Sequence, residues 1–335
     1  MTASRALSLS RPGRLAGRLG VPLLLAAALA WPFLTVRTQP YLLQLSLNIL
    51  IFAVLAVSWD LLARTGQLSL AHAAFYGLGA YTSALLATRL HVPIPLAMLA
   101  GGGLAVVCAV GLGVLTLRLR GIYFAIATLA FTETLRVVAK QVRFFGAATG
   151  LVVPPLFPAS LVAQYLVILA VLLATLLVSW SVNRSRWSFA FTAIRTNEAV
   201  AAVMGVDVVR FKVAAFALSA FFAGLTGAYY AHVFLFINPF EVFSLAVSVG
   251  ALVAPIFGGL YTTAGPLLGA VVLRAGEEAL RATIRSGYLI IYGGILAVVV
   301  LYMPRGLLGV LTGLRLRRPP AVAVTAAPPV GGEGP

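Results

Sequence analysis

The stretch NRSRWSFAFTAIRTNEAVAAVMGVDVVRFK, residues 183–212, separates two sets of apolar segments in this chain. It is the one long internal stretch between residues 21 and 303 that is not built to lie in lipid. The runs on either side of it are long enough to cross a hydrocarbon core of about 30 Å. A basic stretch between such runs indicates a structured loop on one face of a membrane protein.

The composition predicts a membrane protein built from helices. Of the 335 residues, 61% are hydrophobic and 10% are charged, and the mean hydropathy is +1.03. A soluble domain of this size carries about 25% charged residues. The apolar runs are continuous, whereas the strands of a membrane barrel alternate over about ten residues. We therefore expect an all-α polytopic membrane protein.

The apolar pattern divides the chain into three parts. A basic segment of residues 1–20 precedes a transmembrane domain of residues 21–303. Residues 304–335 form a largely disordered tail, because Pro, Ala, Val and Gly recur from Pro319 to Pro335 without periodicity. The domain is predicted to contain about ten transmembrane helices, at roughly 21–36, 41–63, 68–88, 92–117, 121–139, 160–182, 211–236, 243–260, 264–283 and 287–303.

The first apolar run has two interpretations. Basic residues followed by a short apolar run and Ala28-Leu29-Ala30 imitate a secretory signal with its cleavage site. Pro32, Phe33 and Leu34 extend the run, which favours a retained first helix.

Basic residues indicate the orientation. A net charge of +16 would suggest nucleic acid as the partner of a soluble protein, but here the charge lies in loops and tails. With the N-terminus inside, sixteen of the 24 Lys and Arg residues fall on the inner side. Loop 183–212 and both termini are therefore predicted to be cytoplasmic, in the inner membrane of a cell. Arg274 falls within a helix, and seven residues fall outside: Arg37, Arg89, Arg136, Lys140, Arg143, Arg281 and Arg285.

The loop is predicted to contain two short helices. In the first, Trp187, Ala190, Phe191 and Ile194 recur at helical spacing and share a face, away from Arg195. A helix resting on lipid headgroups would show the same pattern. This first helix alone therefore does not distinguish a membrane surface from a protein partner.

The second helix favours a protein partner. Asn197 is a good N-cap, Glu198 complements the helix dipole, and Gly205 can end the helix in a left-handed conformation. The residues from Ala199 to Met204 form a short rod with small side chains, which fits a groove on another protein. The candidate contact residues of the loop are Trp187, Phe191, Arg195, Asn197, Glu198, Ala199 and Gly205.

Polar residues along the third predicted helix are candidates for lining a permeation path. Ser69, His72, Tyr76, Gly79 and Ser83 recur at spacings of three and four, so they form one stripe. A polar stripe in lipid faces either a wet cavity or another helix, to which it forms hydrogen bonds. His72 alone is more typical of a satisfied interior histidine than of a proton relay.

The fifth predicted helix adds Thr128 and Glu133 to the candidate lining. Glu133 lies one turn from Arg136, so an ion pair near the outer end competes with a role in the path.

The sequence contains no motif of an enzyme active site. It has no GxxxxGK loop followed by Ser or Thr, no HExxH, and a single cysteine, Cys108. The three histidines, His72, His91 and His232, do not form a recognisable cluster or triad. We expect a chain that is not an enzyme, binds no cofactor or metal itself, and takes its energy from elsewhere.

Five segments resemble one family. Glu198-Ala199 followed by Gly205 resembles the EAA-then-glycine loop through which permeases of ABC importers contact their ATPase subunits. The string from Ser185 to Tyr230 is similar to the permeases of branched-chain amino acid importers, of the LivM type. Four further blocks match that family in order: GQLSLAHAAFYGLGAYTSALL (66–86), RLRGIYFAIATLAFTETLR (118–136), IFGGLYTTAGPLLGA (256–270) and MPRGLLG (303–309).

The resemblance implies a fold, a function and a set of partners. The fold would be the importer-permease bundle, and the chain would carry leucine, isoleucine, valine or a related small solute through the membrane. Its partners would be a second homologous permease (LivH type), two cytoplasmic ATPases (LivG and LivF type) and an external binding protein. ATP would be used by the ATPase subunits, and the candidate residues of loop 183–212 would couple them to this chain.

The chain departs from the family pattern at four places. Ala71 stands where the family usually has glycine, and Thr149-Gly150 retains one glycine of a usual pair. The loop reads EAVAA instead of a strict EAA, and Tyr261 stands where the family often has glycine. These departures bear on which substrate is carried.

Two other classes of transporter are alternatives. A secondary transporter coupled to protons or sodium generally places ionisable groups near the middle of the membrane, where Glu133 and His72 are the candidates. A passive channel would leave the capped cytoplasmic loop without a purpose.

Overall fold

The computed structural model describes residues 25–119, 121–157, 160–284, 287, 290–294, 297 and 306–311. Two short strands, β1 (Leu151–Val152) and β2 (Phe236–Ile237), accompany the helices. The helices are α1 (Leu25–Thr35), α2 (Pro40–Ala63), α3 (His72–Arg89), α4 (Ile94–Thr116), α5 (Ile122–Gln141), α6 (Leu161–Arg184), α7 (Arg186–Thr196), α8 (Glu198–Val203), α9 (Val208–Phe234), α10 (Pro239–Val242), α11 (Leu245–Gly258), α12 (Gly265–Thr283) and α13 (Gly306–Leu311).

Six helical segments of the described residues are long and apolar enough to span a membrane. They are α2, α4, α5, α6, α9 and the segment Pro239–Gly258, which contains α10 and α11. The prediction of ten transmembrane helices is not confirmed. Three further predicted spans are helical but are too short or too polar to count as membrane-spanning. Helix α1 has 11 residues, α3 carries polar groups from His72 to Arg89, and α12 carries four charges. The tenth, 287–303, lies mostly outside the described residues, as do residues 1–20 and 312–335.

The centre of the bundle is formed by α3, α4 and α9, whose backbones touch at glycines. A Cβ atom at Gly79 of α3 would overlap the carbonyl oxygen of Gly224 on α9, and one at Gly227 would overlap the carbonyl oxygen of Tyr76. A Cβ at Gly101 of α4 would lie 2.7 Å from the Gly79 carbonyl oxygen. Small residues allow this approach in lipid, where dispersion forces and not the hydrophobic effect hold helices together.

The loop that follows α5 folds onto the end of α9. β1 and β2 pair antiparallel, with Leu151 opposite Ile237. Next to them, the His232 ring is fully buried and its Nδ1 donates to the carbonyl of Pro154 at 2.8 Å. Its Nε2 accepts from the Ser83 hydroxyl at 2.8 Å, which joins α9 to α3.

The beginning of the predicted tail is part of the fold. Residues 306–311 form α13, which packs against α11 and α12. A Cβ atom at Gly306 would lie 2.6 Å from the backbone nitrogen of Gly259, so the two backbones are in contact.

We predict that the backbone contact between α3 and α9 is required for stability. Gly79→Ala places a methyl group against the Gly224 carbonyl and should lower the free energy of unfolding by about 3 kcal/mol, the upper end of usual overpacking costs. The measurement is unfolding by SDS titration in mixed micelles.

Gly103→Ala is the matched control, because a Cβ atom at Gly103 of α4 has no neighbour within 4 Å. It should change the unfolding free energy by less than about 1 kcal/mol. Equal losses in the two variants would show that the close approach of α3 and α9 does not limit stability.

Candidate functional site

The first loop helix, α7, rests its apolar face on α9. The Ser185 side chain caps it by accepting from the Trp187 backbone N–H at 3.2 Å. The Trp187 and Phe191 rings pack edge-on against Phe211 at centroid distances of 5.8 and 6.3 Å. Phe191 is 2% exposed and Ile194 is 1% exposed, so the predicted apolar face supports the loop from inside.

The second loop helix, α8, is fixed at both ends. The Asn197 side-chain oxygen accepts from the backbone N–H groups of Ala199 and Val200 at 3.0 and 3.2 Å. At the other end Gly205 has φ +85°, and the N–H of Val206 bonds to the Ala201 carbonyl at 3.0 Å. This pattern is a Schellman motif, in which glycine avoids the steric cost of a left-handed residue.

An ion pair attaches α8 to α9. The Lys212 ammonium contacts the Glu198 carboxylate, and the Lys212 side chain is 1% exposed. Since Glu198 follows the N-cap directly, this bond holds the start of α8 against the first turns of α9. The cap, the Schellman motif and this ion pair therefore hold the loop against the N-terminal end of α9.

The outward face of the loop is apolar. Phe189 is 80% exposed, Val203 90% and Met204 78%. The groove between α7 and α8 has a volume of about 880 Å³ and is lined by Phe189, Val200 and Met204 among others. An exposed apolar patch beside a groove is typical of a protein interaction site. Sequence reasoning missed Phe189, although a phenylalanine opposite the periodic face of α7 was a usable signal.

A buried ion pair lies beside α7. Asp60 and Arg64 are one turn apart on α2, and a guanidinium nitrogen lies 2.8 Å from the carboxylate. Their side chains are 0% and 4% exposed. Arg64 also donates to the Ser179 carbonyl at 3.0 Å and to the Asn183 side chain at 2.9 Å. The pair therefore joins the end of α2 to the end of α6.

The turn between α11 and α12 attaches to the same pair. Tyr261 has φ +64°, a left-handed conformation that is uncommon outside glycine. Its N–H donates to the Asp60 carboxylate at 2.7 Å, and the Arg195 guanidinium lies 3.8 Å from the centre of its ring. We call this set the loop-anchoring network; it comprises Asp60, Arg64, Ser179, Asn183, Arg195 and Tyr261.

The segment between α2 and α3 contains Ser69 and contacts Thr128 of α5, two of the residues predicted to line the path. Ser69 is buried, and its carbonyl accepts from the Trp59 indole at 2.9 Å. The Thr128 hydroxyl accepts from the Leu70 N–H at 3.0 Å. On the same backbone, the Ser248 hydroxyl donates to the Leu70 carbonyl at 2.7 Å. Ser69 and Thr128 therefore meet at an irregular segment of backbone inside the bundle.

The other predicted path residues lie apart from one another. His72 is fully buried and its Nε2 lies 2.9 Å from the Ser219 hydroxyl on α9. Ser83 bonds to His232, as described above. Glu133 forms an ion pair with Arg136, and their side chains are 38% and 33% exposed. Tyr76 lines a cavity of about 340 Å³. A role in lining the path stays a prediction for all of them.

Within the described residues, no group of three or more His, Cys, Asp or Glu side chains could hold a metal ion. The described part thus combines a helical membrane bundle with a capped loop that exposes an apolar surface. These features define a class, a polytopic membrane protein with a structured loop between two of its membrane-spanning helices.

The comparisons identify the family. A family model described as "Branched-chain amino acid transport system / permease component" matches residues 41–303, and the chain belongs to this family. It is 28% identical over 316 residues to the high-affinity branched-chain amino acid transport system permease protein LivM of Salmonella typhimurium and to that of Escherichia coli. Each match covers 85% of this chain and 73% of the relative. No solved structure matches the chain.

We predict that Asp60 is essential to the loop-anchoring network. Asp60→Asn leaves the Arg64 guanidinium buried without a counter-charge and should lower the unfolding free energy by about 3–5 kcal/mol. Asp207→Asn is the control, since the Asp207–Arg210 pair is 47% and 87% exposed and asparagine also caps α9.

The control should change stability by less than about 1 kcal/mol in the same SDS titration. If both substitutions lower the unfolding free energy by the same amount, the buried Asp60–Arg64 pair does not contribute more to stability than an exposed pair.

Proposed function

We propose that the chain is the membrane-spanning permease subunit of an ATP-driven ABC importer for leucine, isoleucine, valine or a related small solute. The observation that carries the proposal is the α7–α8 loop, rigid and apolar on its outward face, in a chain of the branched-chain permease family. The two LivM relatives are permeases of high-affinity branched-chain amino acid transport systems, which supports the choice of substrate.

The proposed assembly contains three kinds of partner. A second, homologous permease completes the membrane part, and two ATPases bind the loop from the cytoplasm, where both termini also lie. An external binding protein delivers the solute. The distribution of basic residues supports this orientation, and the proposed location is the inner membrane. ATP is bound and hydrolysed by the ATPases, so this chain is a transport subunit and not an enzyme.

The contacts of the loop support a mechanical role. Lys212 ties α8 to α9, while Arg195 ties α7 to the turn that contains Tyr261. When the ATPases close around ATP, they would displace the loop as a rigid unit and change the tilt of α9, α2 and the α11–α12 pair. The membrane part would then alternate between outward-open and inward-open states. Because the binding protein supplies affinity, the path itself needs only weak contacts.

The decisive test of the function is uptake of labelled leucine into vesicles that contain all the subunits and the binding protein. We expect uptake that requires ATP and is unaffected when proton and sodium gradients are collapsed. Uptake that continues without ATP but stops with the gradient would identify an ion-coupled secondary transporter instead.

We predict that the outward face of α8 carries the ATPase contact. Val203→Asp places a charge in an apolar interface and should lower co-purification of the ATPases about tenfold or more. Val152→Asp is the control, because Val152 is 77% exposed on β1, away from the loop. It should leave co-purification unchanged, and both variants should insert normally into the membrane.

Gly205→Val tests the geometry of the same helix. A Cβ atom at Gly205 has no neighbour within 4 Å, so the substitution causes no clash. Its effect is backbone strain, because φ is +85° and valine rarely adopts this conformation. It should also reduce ATPase binding without loss of membrane insertion. ATPase binding that survives both Val203→Asp and Gly205→Val would contradict a coupling role for α8.

A further inference from the structure

Two adjoining cavities lie on the side of the bundle formed by α2, α11 and α12. They have volumes of about 340 and 230 Å³ and share Phe52, Ala246 and Arg274. The larger also borders α3, α9 and α10. Pockets of about 300 Å³ or more are of the size that takes small molecules.

One end of this double cavity carries a partly buried cation. Arg274 of α12 is 26% exposed, one of its nitrogens donates to Glu277 at 2.6 Å, and its guanidinium lies 3.0 Å from the centre of the Phe52 ring. A guanidinium has five N–H donors in one plane. Within the described residues, this contact with Glu277 is the only hydrogen bond that Arg274 makes through its side chain. The remaining donors match a carboxylate.

An anion lies in the same cavity. Glu241 of α10 is exposed, and its carboxylate has no hydrogen bond or ion pair with any other described side chain. The Tyr76 and Tyr230 rings line the cavity with it, 5.5 Å apart. A carboxylate beside aromatic faces is suited to a primary ammonium group.

The smaller cavity lies beside these two charged groups and has an apolar wall. Val249 and Val253 of α11 and Leu273 of α12 line it together with Phe52. These side chains suit a branched aliphatic group and offer it no hydrogen bond.

We propose that this double cavity binds an α-amino acid with an apolar side chain as a zwitterion. Arg274 takes the carboxylate, Glu241 takes the ammonium group, and the aliphatic side chain lies against Phe52 and Val249. The proposal rests on the proposed function and adds to it a location and a basis for selection. A solute that lacks the ammonium group leaves the Glu241 carboxylate without a counter-charge. A solute that lacks the carboxylate leaves the remaining N–H donors of Arg274 unused, so both solutes bind more weakly than the zwitterion.

The test is saturation-transfer NMR on the purified complex of this chain with its second permease and ATPases, without the binding protein. Three probes are compared: leucine, 4-methylpentanoate, which lacks the ammonium group, and 3-methylbutylamine, which lacks the carboxylate. Leucine should bind best. Arg274→Gln should weaken leucine binding about tenfold or more, and Glu241→Gln should abolish the preference for leucine over 4-methylpentanoate.

Two exposed or peripheral charges of α12 serve as controls. Arg281→Gln removes a 66% exposed cation, and Glu278→Gln keeps an oxygen that accepts from Tyr41. Both should leave leucine binding unchanged. Arg274→Lys keeps the charge near Glu277 but cannot place two N–H groups on one carboxylate, so it should give an intermediate loss in a complex that remains assembled.

The outcomes separate this proposal from the proposed function. Leucine binding that does not respond to Arg274→Gln or Glu241→Gln, in a complex that takes up leucine with ATP, overturns the site and leaves the function standing. Binding of all three probes with equal strength also overturns it. Binding that depends on both residues supports the site even if uptake proves to be driven by an ion gradient.

Discussion

A backbone polar group buried in hydrocarbon must find a partner inside the protein, and the segment between α2 and α3 shows what this requirement imposes. Leu70 lies in this segment, where the backbone is not helical, and its N–H and carbonyl are satisfied by the hydroxyls of Thr128 and Ser248. Thus α5 and α11 have to lie where these hydroxyls reach the segment. Because α3 begins directly after it, the contact of α3 with α9 at Gly79 depends on the same bonds.

The same requirement governs the ends of the helices beside α7, where charges are buried. Asp60 and Arg64 are stable there only because α6 and the Tyr261 backbone supply the remaining partners. Tyr261 itself adopts a conformation that glycine would adopt without strain. A glycine would also remove the ring under Arg195. Tyr261 therefore introduces local backbone strain, but its ring connects the loop to the α11–α12 turn.

Much of the local structure could be predicted from the sequence, because its signals are local. The cap at Asn197, the helix end at Gly205 and the inward face of α7 follow from spacing alone, and the structure confirms them. Pairings between helices could not be predicted in this way. His72 meets Ser219, 147 residues further along the chain, and periodicity fixes a face but not the register against another helix. For the same reason the sequence could not show that Glu241 and Arg274 line one cavity. The polar helix α3 was counted as one of ten membrane spans, whereas the described residues contain six helical segments that are long and apolar enough.

The α11–α12 pair connects loop 183–212 to the double cavity. Its turn contains Tyr261, which contacts Arg195 of α7 and Asp60 of α2. Its two helices are in backbone contact, since a Cβ atom at Gly269 would overlap the Ala254 carbonyl oxygen. Further along the same helices, Val249 and Arg274 line the double cavity. In the proposed function, a displacement of the loop that reaches Tyr261 would be transmitted along this pair of helices to the walls of the cavity. Helix α4 lines neither cavity and could remain packed against α3 and α9.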